Sequence, residues 1–260
     1  MRKTSRVSGF LGATGRAAAI AGRFVAKQVA AGYRKIDPDV PRHLAQIPLL
    51  TYTLFSSSYQ RIDPGASDGH PPLIFVHGLG GGRGDFLLMA QYLRLKGRKR
   101  SYRIKFEKGQ SIDEMAAALA RFVREVTRAT EHKKVDIVAH SLGGVVARAA
   151  VIEHGIQSSV KTLITLGSPH RGTHPARYLH SKVIKDLRPE SPYLKKLNRK
   201  RWPKKVRGLA FWSRNDLFIL PPESGIGEGM EPVEATPFTH YSYLIDPLCW
   251  ARVSEILLPS

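Results

Sequence analysis

Cysteine and long apolar runs are nearly missing from this chain of 260 residues, and each shortage excludes a class of protein. The single cysteine, Cys249, rules out an intramolecular disulfide framework and any zinc module built from several cysteines. No stretch approaches the roughly 18 uncharged apolar residues that a membrane-spanning helix requires. The hydrophobic content of 42% and charged content of 24% are ordinary for a globular protein and argue against wholesale disorder. The length is enough for one large α/β domain with a buried core, or at most two small ones.

Acidic residues are also scarce. The chain has 41 Lys and Arg residues against 21 Asp and Glu residues, a net charge of +20, which attracts polyanions such as anionic lipid headgroups. The imbalance is largest in residues 1–36, which contain no acidic residue. Residues 10–35 predict a basic amphipathic helix suited to an anionic membrane surface. A helix packed on the body and an organellar transit peptide stay open as alternatives, whereas arginines interrupt any apolar core of a secretory signal.

Proline-rich stretches divide the chain into a basic amphipathic segment (1–36), a connecting region (37–72) and a main domain (73–260). In the main domain, short apolar stretches that predict strands alternate with stretches of helical periodicity. The predicted strands are residues 73–77, 102–106, 135–139, 160–166 and 206–212. Such alternation predicts an α/β fold with a mostly parallel sheet and helices on both of its faces.

The most informative stretch is residues 135–148, Val-Asp-Ile-Val-Ala-His-Ser-Leu-Gly-Gly-Val-Val-Ala-Arg. Ser141 lies at the apex of a sharp turn between a predicted strand and a predicted helix. The small residues Ala139 and Gly143 allow this turn, which would hold the serine hydroxyl exposed above the sheet. The helix that follows offers the positive end of its dipole to a developing oxyanion. The alternative role for Ser141 is that of a helix N-cap.

Three segments in order carry a resemblance to a known family. They are residues 74–81 (Ile-Phe-Val-His-Gly-Leu-Gly-Gly), 139–144 (Ala-His-Ser-Leu-Gly-Gly) and 166–173 (Leu-Gly-Ser-Pro-His-Arg-Gly-Thr). The chain resembles the α/β-hydrolase superfamily, and within it the bacterial triacylglycerol lipase and esterase group. Ala139 stands where the strict motif has glycine. The resemblance covers about residue 73 to the C-terminus and implies an α/β-hydrolase fold with a small cap insertion, here at about residues 175–203.

The resemblance also implies a catalytic triad in the chain order serine, acid, histidine. Asp216 follows the predicted strand 206–212, and His240 is the one histidine beyond it. We therefore expect Asp216 and His240 to serve Ser141 as acid and base, with Glu223 as the alternative acid.

Two backbone N–H groups are expected to form the oxyanion hole. One is that of Leu142, the residue after the nucleophile, and the other is that of Leu79, which follows His-Gly as in the resembling lipases. A phosphate-binding role for the glycines of residues 78–84 is disfavoured because the Gly-Lys-Ser/Thr ending is missing. No cofactor and no metal are expected. A metal site is disfavoured because no carboxylate joins its candidate ligands at ligand spacing; these are His170, His174 and His180.

These assignments predict a serine carboxylic-ester hydrolase, a lipase or esterase, that acts on lipid-like esters through an acyl-enzyme. Residues 175–203 are expected to cap the site with an apolar underside. The alternatives are an acyltransferase or polyester depolymerase with the same triad, and a non-catalytic basic module that binds membranes or nucleic acid on a hydrolase scaffold. The expected partners are an ester or lipid substrate and, through residues 1–36, an anionic membrane surface; nucleic acid is not expected. The predicted location is cytoplasmic or peripheral on such a membrane.

Overall fold

A computed structural model describes residues 62–179 and 181–259. The predicted basic segment 1–36 and most of the connecting region 37–72 lie outside these ranges. Within them, no helix combines the length and apolar character needed to cross a membrane. The proposed domain boundaries stay predictions.

A parallel β-sheet forms the centre of the described chain. It has six strands in the order β2-β1-β3-β4-β5-β6, and every neighbouring pair is parallel, which confirms the predicted sheet. The strands are β1 (Leu73–Val76), β2 (Ser101–Arg103), β3 (Val135–His140), β4 (Val160–Leu166), β5 (Arg207–Trp212) and β6 (Glu231–Glu234).

Helices cover both faces of this sheet. The α-helices of the described residues are α1 (Leu87–Leu95), α2 (Ile112–Ala129), α3 (Leu142–Glu153), α4 (Lys182–Asp186), α5 (Pro192–Asn198), α6 (Ser242–Ile245) and α7 (Pro247–Leu257). Short 3-10 helices occur at Arg83–Phe86, His174–Tyr178 and Pro222–Gly225. Successive strand residues point to opposite faces. Ile137 therefore packs in the cluster that holds α2 and α3, and Val138 packs in the cluster that holds α1 and α7.

Helix α2 shows how local sequence places an element. Ser111 and Glu114 form a capping box: the Ser111 hydroxyl accepts from the Glu114 N–H, and the Glu114 carboxylate accepts from the Ser111 N–H at 2.7 Å. Met115, Leu119 and Val123 then recur at helical spacing and are buried against the sheet. The helix thus begins at its cap and is held by its apolar stripe.

The segment between β4 and β5 contains two short helices, α4 and α5. Its apolar side chains, which include Ile184, Leu194 and Leu197, belong to the same core cluster as α2 and α3. These three side chains are buried in the core of the domain, whereas Tyr178 of the same segment is exposed. The cap itself stays a prediction.

Because all six strands are parallel, their carboxyl ends meet at one edge of the sheet. Ser141 directly follows β3, Asp216 follows β5, and His240 follows β6. The topology therefore brings a hydroxyl, a carboxylate and an imidazole that are distant in sequence to a single edge of the sheet.

Candidate active site

Ser141 occupies a one-residue turn between β3 and α3. Its φ of 55° and ψ of −127° lie in a left-handed region that few non-glycine residues adopt. Its N–H donates to the Leu166 carbonyl on β4 at 3.0 Å, which ties the turn to the sheet. The hydroxyl makes no N-cap hydrogen bond to α3. Ser141 is thus the residue before the helix, but its side chain is directed to another partner.

The first turn of α3 approaches β1 unusually closely. A Cβ atom at Gly143 would lie 2.5 Å from the His77 carbonyl oxygen and 2.6 Å from that of Val76. On the other side, a Cβ at Gly78 would lie 3.0 Å from the Ser141 Cβ. Glycine at both positions lets the chain after β1 pass directly beside the nucleophile turn.

Hydrogen bonds join Ser141, His240 and Asp216 in series. The Ser141 Oγ lies 3.0 Å from His240 Nε2, and His240 Nδ1 lies 2.9 Å from Asp216 Oδ2. A carboxylate can only accept, so Nδ1 carries the proton and Nε2 accepts from the serine hydroxyl. The three residues predicted from the sequence are therefore adjacent in space, and the imidazole has the tautomer that a general base needs.

Asp216 is nearly fully buried, at 1% exposure. Its Oδ1 accepts from the N–H groups of Phe218 at 3.0 Å and Ile219 at 3.3 Å, which leaves Oδ2 for the imidazole. Such bonds stabilise the ionised carboxylate. Glu223, the alternative acid, is exposed on the 3-10 helix Pro222–Gly225, while the His240 ring bonds to Asp216.

Two aromatic contacts and one hydrogen bond hold the His240 loop. The Phe218 ring stacks on the imidazole with centroids 4.9 Å apart, and Tyr241 packs edge-on against it. The His240 carbonyl accepts from Nε2 of His140 at 2.8 Å. Burial lowers the pKa of His140 well below its usual value, so this donor is neutral.

The loop after β1 carries Leu79, the predicted second oxyanion donor. The Gly78 carbonyl accepts from His77 Nδ1 at 2.9 Å and from the Gly81 N–H at 3.2 Å. This carbonyl and the Leu79 N–H belong to one planar trans peptide unit and point in opposite directions. Anchoring the carbonyl therefore fixes the direction of the Leu79 N–H.

Asp85 braces the same loop from inside. Its Oδ1 accepts from the Gly82 N–H at 3.2 Å, and burial raises the pKa of its carboxyl to about 7.

The other predicted oxyanion donor, the Leu142 N–H, belongs to the first residue of α3, where helix geometry leaves N–H groups without intrahelical partners. Its backbone is adjacent to Ser141, as the elbow motif requires.

The remaining histidines named by the sequence lie elsewhere. His170 is buried, its Nε2 lies 3.0 Å from the Thr165 Oγ1, and burial lowers the pKa of the imidazole well below its usual value. His174 is exposed at the start of a 3-10 helix, and His180 lies outside the described residues. Among the described residues, no three His, Cys, Asp or Glu side chains are grouped as metal ligands.

Sequence reasoning did not assign the parts played by His77, His140, Asp85 and Phe218. His140 and Phe218 contact the His240 loop, which becomes their neighbour only after folding, whereas His77 and Asp85 bond to the loop after β1 close to them in sequence. The one available signal was position, because His77 and His140 directly precede Gly78 and Ser141 in the quoted motifs.

A serine, an imidazole and a carboxylate bonded in this order at the carboxyl edge of a parallel sheet are typical of α/β-hydrolases. Residues 68–187 match the family described as "Putative serine esterase (DUF676)". This finding and the fold confirm the predicted resemblance to the lipase- and esterase-like group of that superfamily, and they support an ester hydrolase.

Solved structures with the same fold come from several sources. The mature Bacillus licheniformis lipase BlEst2 is 18% identical with a TM-score of 0.66, over 77% of this chain and 96% of that one. Aspergillus fumigatus lipase B is 14% identical with a TM-score of 0.64, over 76% of this chain and 55% of that one. The metagenomic carboxyl esterase MGS0156 is 13% identical with a TM-score of 0.55, over 76% and 80%. At these identities the likeness establishes the α/β-hydrolase fold.

The close approach at Gly143 predicts the effect of a single methyl group. Gly143→Ala forces the added carbon against the carbonyls of Val76 and His77, so we expect a loss of about 1–3 kcal/mol in the free energy of unfolding. Gly82→Ala is the matched control, because nothing lies within 4 Å of a Cβ there and the backbone is extended. Urea denaturation of both variants measures the difference. Equal stability of the two variants would contradict the close-approach argument.

Proposed function

We propose that this protein is a serine carboxylic-ester hydrolase that acts on lipid-like esters, with Ser141 as nucleophile, His240 as general base and Asp216 as the acid that orients the base. The observation that carries the proposal is the pair of hydrogen bonds from Ser141 Oγ to His240 Nε2 and from His240 Nδ1 to Asp216 Oδ2, at 3.0 Å and 2.9 Å. The strained turn at Ser141 supports it, because backbone strain of this kind collects at functional residues.

The proposed reaction begins when the Ser141 Oγ attacks the ester carbonyl carbon and its proton passes to His240 Nε2. The Asp216 carboxylate stabilises the imidazolium that forms. The carbonyl oxygen becomes an oxyanion, which the N–H groups of Leu79 and Leu142 would stabilise. Collapse of the tetrahedral intermediate breaks the ester C–O bond, and His240 gives its proton to the departing alcohol.

Deacylation repeats these steps with water as the nucleophile. His240 Nε2 takes a proton from the water as its oxygen attacks the acyl carbon, and it returns the proton to Ser141 Oγ when the carboxylic acid leaves. The chain's own side chains perform every proton transfer, so the scheme requires no cofactor.

Apolar side chains beside the proposed nucleophile support an acyl substrate. Leu79 is 49% exposed next to Gly78, and Phe218 lies against the His240 ring. Two of the similar structures are named as lipases and one as a carboxyl esterase, which agrees with this class of substrate. The buried apolar residues of α4 and α5 are not available for the acyl chain, so the loop after β1 and the residues after Asp216 are its proposed contacts.

The first test replaces the proposed nucleophile. Ser141→Ala removes the attacking oxygen, so we expect the kcat for nitrophenyl esters to fall by at least about ten-thousandfold and labelling by a fluorophosphonate probe to disappear. Ser158→Ala changes an exposed serine far along the chain from the nucleophile turn and is expected to keep both. Turnover by Ser141→Ala within tenfold of the parent rate would reject the assignment.

The second test separates the two candidate acids. Asp216→Asn keeps the shape of the side chain but removes its charge, so it should lower kcat by roughly 10³–10⁴. Glu223→Gln alters an exposed side chain and is expected to leave kcat unchanged within about twofold. The opposite ranking of the two variants would assign the acid to Glu223.

The third test concerns the acyl chain and the acceptor. If Leu79 and Phe218 contact the acyl chain, kcat/KM for nitrophenyl esters rises from acetate to longer chains, by up to about tenfold per two buried methylenes. Activity confined to acetate would count against a lipid-like substrate. Products are analysed with and without added alcohol, because transfer of most acyl groups to the alcohol would instead indicate an acyltransferase.

A further inference from the structure

A strongly basic surface follows the second helix of the β4–β5 segment. Residues 195–207 contain eight basic residues and no acidic one, and every one of the eight is exposed. We call this the basic surface; its members are Lys195, Lys196, Arg199, Lys200, Arg201, Lys204, Lys205 and Arg207. It lies outside the proposed catalytic residues.

The fold turns these bases outward. Leu194 and Leu197 of α5 are buried in the core, so the lysines beside them face solvent. After the helix, Trp202 is half-buried and its Nε1 donates to the Val206 carbonyl at 2.8 Å, which holds the loop that carries the last four bases. The basic surface is therefore a folded part of the domain.

Nearby acidic residues compensate only part of this charge. Lys195 pairs with Glu190 at 3.0 Å, Lys196 and Lys200 share Glu153, and Arg207 lies 3.8 Å from Glu231. Within the described residues, no ion pair involves the other four bases. Eight bases facing three acidic residues leave a marked positive excess.

Positive charge is unevenly distributed along the domain: residues 73–170 hold sixteen bases and eight acids, and the contrast is sharpest after them. Residues 171–207 hold thirteen bases and two acids, whereas residues 208–260 hold two bases and seven acids. A general bias toward lysine and arginine, for solubility, would distribute the excess over both parts. The segregation instead favours a surface that meets a partner of negative charge.

We propose that the basic surface docks on an anionic phospholipid bilayer. Lysine and arginine clusters held at a surface bind anionic headgroups through charge alone. Proteins that bind single-stranded nucleic acid stack nucleobases on exposed aromatic rings, and the single aromatic residue of this stretch, Trp202, is half-buried with its N–H bonded within the chain. Duplex binding needs only phosphate contacts, so the test below includes a duplex. The choice of a bilayer also rests on the proposed function, because a lipid-like ester would be presented there.

The test uses the full-length chain and two triple variants with the same change in net charge. The first carries Arg201→Glu, Lys204→Glu and Lys205→Glu on the basic surface. The matched control carries Arg121→Glu, Arg128→Glu and Lys133→Glu on and after α2, where exposed bases alternate with acids. Sedimentation with phosphatidylcholine vesicles, with and without phosphatidylglycerol, measures the partition coefficient at about 0.15 M salt.

We expect the partition coefficient of the basic-surface variant on phosphatidylglycerol vesicles to fall roughly a hundredfold. Each lysine or arginine near an anionic bilayer contributes a factor of about five. The control variant should lose less than about threefold, since charges beyond the Debye length are screened. Equal losses would assign binding to net charge, and no loss would assign it to another part of the chain; either result overturns the proposal. Weakened binding to a DNA duplex with vesicle binding unchanged overturns it as well.

Hydrolysis of a dissolved nitrophenyl ester is measured on the same samples without vesicles. Both triple variants should match the parent within about twofold, because none of the six positions belongs to the proposed catalytic machinery. If the parent protein does not hydrolyse the ester, the proposed function is refuted, but the vesicle measurement still tests the docking surface. A reduced vesicle partition with unchanged ester hydrolysis supports the docking surface by itself.

Discussion

The close approach of helix α3 to strand β1 is the constraint on which the rest of the site depends. Gly143 sits against the carbonyls of Val76 and His77, and no side chain larger than hydrogen fits there. This contact holds Ser141 in its left-handed conformation at the end of β3. It also brings the loop after β1 beside the serine, so one packing contact positions both the proposed nucleophile and the neighbouring peptide N–H.

Three histidines near this contact have two kinds of hydrogen-bond partner. His77 and His140 are buried and donate to backbone carbonyls, and burial lowers the pKa of both. His240 lies between a carboxylate and a hydroxyl, and its own carbonyl is the one that His140 holds. One neutral imidazole, His77, thus fixes the loop after β1, and the other, His140, fixes the backbone of the residue proposed to move protons. Because the two donors stay uncharged, they add no positive charge beside a forming imidazolium.

Much of the fold was predictable, for an identifiable reason. Strands β3 and β4 are almost entirely buried and consist mostly of β-branched and apolar residues, and such runs indicate a parallel sheet. Strand β6, by contrast, reads Glu-Pro-Val-Glu and lies at the sheet edge with mostly exposed side chains. This segment forms a strand because it pairs with β5, and its own composition does not favour a strand. No local sequence pattern therefore predicts it. In the site, chain order was enough to predict Asp216 and His240, whereas the contacts of His140 and Phe218 with the His240 loop depend on which loops meet at the edge of the sheet.

The packing of helices α4 and α5 bears on how a substrate reaches Ser141. Lipases with a lid open when an oil–water interface stabilises the exposed apolar face of that lid. Here Ile184, Leu187, Leu194 and Leu197 are part of the domain's interior, and exposing each would cost about 1.5–3 kcal/mol. Lifting these helices would begin to unfold the domain, while Ser141 is already partly exposed with them in place. The partial exposure of Ser141 therefore does not depend on movement of this segment away from the domain.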